Sequence, residues 1–154
     1  MTADLKLELR IDQTPETCFD LWTHPEQVAQ WWGPKDDAGS PFKATVEAWS
    51  MSPGEEWAIT MTAPDGTTFS QRGKMLEVDR PHRLGFTFAW VEDERRGPET
   101  EVRVTFEPDG SGTRLIFEQL GFADEATRDG HVQGWQECLD RLATLGAQTM
   151  EVET

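Results

Sequence analysis

Positive charge is scarce in this chain: 14 Lys and Arg stand against 29 Asp and Glu, a formal charge of −15 over 154 residues. A surplus of that sign repels phosphate backbones and anionic membranes, so nucleic acid is not an expected partner. No apolar run approaches the roughly 20 residues of a membrane span, and no basic cluster followed by an apolar stretch opens the sequence. Membrane insertion is therefore not expected, and a soluble protein of the cytoplasm is. Cysteine occurs twice, at Cys18 and Cys138, without C-x-x-C spacing or a nearby His pair, which points to buried thiols rather than a metal site or a disulfide. Histidine occurs three times, at His24, His82 and His131, with no glycine-rich phosphate loop, His-x-x-x-His pair or nucleophile elbow. No catalytic residue, metal or cofactor is assigned.

Large rings are abundant instead, with seven Trp and eight Phe supplying much of an apolar share of 36%. Such rings fill a thick core or line a pocket. The length suits one domain spanning 1–154.

"LKLELRI" alternates strictly, placing Leu5, Leu7, Leu9 and Ile11 on one face of a half-buried strand. Thr14-Pro15-Glu16 reads as an N-cap with proline at the first helical position, opening a short helix through Cys18, Phe19, Leu21 and Trp22. A second short helix follows His24-Pro25, carries Val28, Trp31 and Trp32, and ends at Gly33-Pro34. After a polar loop to about Ser40 the period becomes two, through Phe42, Ala44, Val46 and Ala48, then Trp57, Ile59, Met61 and Ala63, with Pro64-Asp65-Gly66 as a turn. "FSQRGKMLEVDRP" continues as a strand whose Gly73 marks a bulge or a close backbone approach. "HRLGFTFAW" aligns Leu84, Phe86, Phe88 and Trp90, and "EVRVTF" and "TRLIFEQL" flank a hairpin loop at residues 108–112. That loop mimics a calcium-binding sequence at Asp109, Ser111, Gly112 and Glu118, but its flanks alternate as strands and it opens on Glu107 followed by proline, so calcium is not expected.

The final stretch has the helical period: His131, Trp135, Cys138, Leu142 and Leu145 form one stripe in a helix from about Asp124 to Ala147. Gly130 and Gly134 inside it each cost roughly 1 kcal/mol of helix propensity, which suggests that something passes close to that face. Residues 91–99, "VEDERRGPE", are expected as a mobile loop. The order gives an α+β layout of about seven antiparallel strands curled around a long C-terminal helix, with two short helices after the first strand.

Four segments together resemble the START-like superfamily (SRPBCC, Bet v 1-like, helix-grip fold) and, within it, the family named for the activator of the heat-shock protein 90 ATPase. They are Pro15 to Trp32, "GKMLEVDRPHRLGFTF", "GTRLIFEQLGF" and "HVQGWQECLDRL". The resemblance implies a long helix lying across a curved seven-stranded sheet with a cavity between them. It implies no particular reaction, because the superfamily hosts carriers, cyclases and chaperone regulators.

The count of rings supports such a cavity. Trp31, Trp32, Trp49, Trp57, Phe69, Phe88, Trp90 and Trp135 exceed what a two-layer core needs, and with His131 they form the expected ligand-binding set. The competing reading is that the rings fill the interior completely. Of the adjacent pair Trp31 and Trp32, one ring is expected to anchor the short helix and the other to project toward the cavity mouth. His131 reads either as a donor, acid or base facing the ligand or as a side chain satisfied by a backbone carbonyl. Glu118 points either into the cavity or outward. The expected function is a carrier or sensor for a small apolar or aromatic molecule, with a homodimer left open. The alternatives are a chaperone-ATPase regulator and a polyketide cyclase or lyase using His131 or Glu118.

Overall fold

A computed structural model describes residues 3–36 and 38–153, with side chains through residue 146. The alternating segments form strands β1 (Ala3–Ile11), β2 (Lys43–Ala48), β3 (Glu56–Thr62), β4 (Thr68–Asp79), β5 (Arg83–Glu92), β6 (Arg95–Arg96), β7 (Thr100–Asp109) and β8 (Gly112–Phe122). The helices are α1 (Pro15–Asp20), α2 (Pro25–Trp31) and α3 (Glu125–Glu153). All strand pairings are antiparallel, in the order β1-β8-β7-β5-β4-β3-β2, with the two-residue β6 added to β5. This is the α+β helix-grip fold.

Local chemistry sets the boundaries. Thr14 caps α1, its hydroxyl oxygen accepting from the Thr17 N–H at 3.2 Å ahead of Pro15. Asp124 does the same for α3, accepting from the Thr127 N–H at 2.8 Å. The helix runs to Glu153 rather than ending near Ala147. Within residues 91–99, β5 and β6 pair Val91 with Arg96 and Glu92 with Arg95 around a turn at Asp93 and Glu94, both at positive φ, and residues 97–99 are irregular. The segment at 108–112 is the β7–β8 hairpin, pairing Asp109 with Gly112.

The core lies between the concave face of the sheet and the three helices, and Trp22, Trp31, Trp32, Trp57, Phe86, Phe106 and Phe117 are fully buried in it. Gly73 shows why the rings fit. Trp57 pairs across the sheet with Gly73, and its indole N–H reaches over β4 to donate to the Thr87 carbonyl at 2.8 Å. A Cβ at position 73 would sit 1.9 Å from that carbonyl oxygen and 2.5 Å from the indole nitrogen. Close approach, not a bulge, therefore requires the glycine; the register shift of β4 falls later, between Met75 and Glu77.

Gly73→Ala should lower the unfolding free energy by about 2–3 kcal/mol, because neither the backbone of β5 nor the buried indole can yield freely. Chemical denaturation followed by tryptophan fluorescence measures it, and a change below about 0.5 kcal/mol would show that the approach is not tight.

Candidate ligand-binding site

Helix α3 is fixed to the rest of the chain chiefly through its later turns. Gly146 lies close enough to Ile11 of β1 that an added Cβ would be 3.3 Å from its side chain, and Gln13 donates its amide N–H to the Gly146 carbonyl at 3.0 Å. Arg141 donates to the carbonyls of Gly33, at 2.9 Å, and Gln30, at 2.8 Å, tying α3 to the end of α2. Cys138 accepts from the Gly33 N–H through its sulfur at 3.1 Å. Toward its start the helix stands off β3, β4 and β5, and a cavity of about 360 Å³ opens between them.

Trp32 forms the inner wall of that cavity because α2 stops one residue before it. Trp32 has ψ 126°, so the chain leaves the helix between the two tryptophans, and Gly33 at φ 118° completes the turn. The rings, 5.7 Å apart, consequently take different partners. Trp31 packs on Trp22 with centroids 4.4 Å apart and donates to the Leu21 carbonyl at 2.9 Å. Trp32 sits among Trp49, Trp57 and Trp135 at 5.8, 5.6 and 5.2 Å and donates to Gln71 Oε1 at 2.8 Å. Both rings are buried, so neither projects at the mouth; Trp31 anchors α2 and Trp32 lines the depth.

Of the expected set, Trp32, Phe88, Trp90, His131 and Trp135 line the cavity. Trp31, Trp49 and Trp57 lie in the layer behind it, each with its indole N–H bonded to a backbone carbonyl. Phe69 stands apart near the start of β4, 39% exposed and stacked on Phe42 at 6.0 Å. Trp135 packs on Phe117 at 4.5 Å and donates to Gln119 Oε1 at 2.6 Å, and Gln119 donates in turn to Thr100. Met61, Gln71, Gly130, Gly134 and Cys138 also line the cavity. Gln71 could have been read from alternation, since it shares the parity of Phe69 and Gly73 on β4.

The two helix glycines have the opposite cause to the one expected. A Cβ at either position would meet nothing within 4 Å, so no neighbouring element passes there, and the space they leave belongs to the cavity.

Trp90, 37% exposed, reaches from β5 to α3 and donates its indole N–H to His131 Nε2 at 2.9 Å. An indole nitrogen can only donate, so Nε2 must be the acceptor and the proton lies on Nδ1, which faces the Thr127 carbonyl at 2.8 Å. Both ring nitrogens of His131 are thus engaged. Glu118 pairs with Lys6 and Arg103 on strands whose neighbouring buried residues Phe117 and Gln119 face inward, which puts its carboxylate on the outer face. Burial pushes the Cys138 thiol up to about 12 and also raises Cys18, so the cavity carries an apolar sulfur rather than a thiolate.

Residues 12–147 match the family described as Activator of Hsp90 ATPase homolog 1-like protein. Similar solved structures include a protein from Silicibacter pomeroyi named AHSA1, 30% identical over 96% of this chain and 99% of its own, with a TM-score of 0.83. One from Nitrosomonas europaea is 26% identical over 96% of each chain, with a TM-score of 0.76. One from Chromobacterium violaceum, 22% identical over 92% of this chain and 95% of its own, has a TM-score of 0.81 and shares the fold. None of the curated proteins matches the chain.

Gly130→Ala should raise stability by about 0.5–1 kcal/mol, since helix propensity improves and the methyl group meets open space; thermal or urea unfolding that shows a loss would contradict the open face. Above pH 9 the unfolded chain releases the Cys138 proton while the folded chain keeps it, so stability falls with rising pH by up to about 1.4 kcal/mol per unit. Cys138→Ala should flatten that alkaline slope, and an unchanged slope would show that the thiol does not contribute.

Proposed function

The chain belongs to the Activator of Hsp90 ATPase homolog 1-like family, and from that membership we propose that it is a cytoplasmic carrier or sensor enclosing a small apolar or aromatic molecule between α3 and the sheet. The helix-grip fold is in general a ligand-binding architecture. The observation that carries the reading is the cavity of about 360 Å³, walled by Trp32, Phe88 and Trp135 on one side and left open by Gly130 and Gly134 on the other. No helix among the described residues is long and apolar enough to cross a membrane.

Binding, rather than catalysis, is what the polar groups support. His131 has both nitrogens engaged and Glu118 faces away, which leaves the cyclase-like alternative without a disposed acid or base. Removing about 200 Å² of apolar ligand surface from water supplies about 5 kcal/mol, and a better-filling ligand supplies more, before the cost of immobilisation.

Naphthalene titrated into the protein should shift the indole N–H resonances of Trp32, Trp90 and Trp135 and leave that of Trp31 in place. Gly134→Leu, which fills the open face of α3, should abolish those shifts without lowering the melting temperature. Neutral aromatics that leave all seven indole resonances unmoved would sink the proposal.

A further inference from the structure

Among the described residues the cavity wall carries no Asp, Glu, Lys or Arg. Its polar groups are almost all occupied: Trp32 and Trp135 donate to Gln71 and Gln119, Trp90 donates to His131, and Cys138 accepts from Gly33. Gln71 is different. It is 4% exposed, on β4 directly opposite Trp90 of β5, and it lines the cavity. Because the Trp32 indole can only donate, the atom facing it must be the amide oxygen, and the orientation of the carboxamide is fixed by that bond. The NH₂ half is then left without a partner among the described residues. It is not one of the sealed, unpartnered atoms of the core, which are Trp22 Nε1 and Gln27 Oε1, so the space it opens on is the cavity.

We infer that the Gln71 carboxamide is the polar anchor of the cavity, and that the ligand is a neutral, mainly apolar molecule presenting one hydrogen-bond acceptor, of the aryl ketone, ester or ether class. The inference rests on the ligand-binding reading above. A buried amide N–H₂ without an acceptor loses the bonds it would make to water, so an oxygen placed against it is favoured over a methylene. A carboxylate or phosphate would be desolvated there with no cation to pair it, in a chain that already carries a net charge of −15. The Trp32–Gln71 bond orients the anchor, while the rings supply the area.

An isosteric pair tests this by calorimetry or fluorescence titration: benzophenone, with a carbonyl oxygen, and diphenylmethane, with a methylene in its place. The wild-type protein should prefer benzophenone by about 5- to 10-fold, and benzoylbenzoate, which adds a carboxylate, should bind more weakly than benzophenone. Gln71→Met should bring the ketone-to-methylene ratio to about one while diphenylmethane affinity stays within about threefold. If loss of the Trp32 acceptor unfolds that variant, Gln71→Glu keeps an oxygen for the indole and removes the NH₂, and at a pH high enough to ionise the new carboxyl the ratio should again fall to one or below. Equal binding of the two ligands by the wild type, or a preference that survives both substitutions, would overturn the anchor while leaving the cavity's role intact. Binding of neither ligand would remove the ligand-binding reading and this inference with it.

Discussion

An indole buried without an acceptor for its N–H costs about 1–3 kcal/mol, and this chain commits seven tryptophans to one side of one sheet. Six of them find acceptors, and each acceptor lies on a different part of the chain from its donor. Trp49 is bonded to the turn after α1, Trp57 to β5, Trp32 to β4, Trp135 to β8 and Trp90 to α3. Trp22 is the exception, buried with its nitrogen unpartnered. The rings are therefore fixed in orientation as well as packed, and a set of large, fixed rings fills space less adaptably than aliphatic side chains do. A gap beside them stays a gap.

Where the gap falls is set by the way α3 is held. Arg141, Cys138 and the Gly146 turn bind the later part of the helix to α2, the Gly33 turn and β1, whereas the earlier part meets the sheet through Trp135 on Phe117 and His131 on Phe122. Gly130 and Gly134 keep side chains out of the space between. The Trp90–His131 bond closes one side of the opening. Depth, opening and lining thus come from three separate local causes: where α2 stops, where α3 is pinned, and which helix positions lack a Cβ.

Much of this was legible in residue order. Strict alternation at Leu5 to Ile11 and at Leu84 to Trp90, the Thr14-Pro15 cap and the His131-to-Leu145 stripe lead directly to the helix-grip layout. Five of the nine expected binding residues meet at one cavity because strand parity and helical spacing place them there. The remainder depended on distances that order does not carry. Trp31 and Trp32 read as one helix, yet the helix ends between them, and the second ring lines the depth of the cavity rather than its mouth. Phe69 has the right parity but lies near the start of β4, outside the cavity lining. The glycines of α3 read alike for a near neighbour and for an empty space. The turn at Asp93 and Glu94 adopts left-handed conformations without glycine, so nothing in its composition announced a hairpin.

Whether the rings and the pinned helix leave a real void is the physical question under all of this. A crystal pressurised with xenon answers it most directly, because xenon occupies apolar space without needing a polar partner. Xenon density bounded by Trp32, Phe88, Trp135 and the Gly130–Gly134 face is the expected result. A helix seated on the sheet along its whole length, with no xenon and no space left beside Gly130 and Gly134, would contradict it.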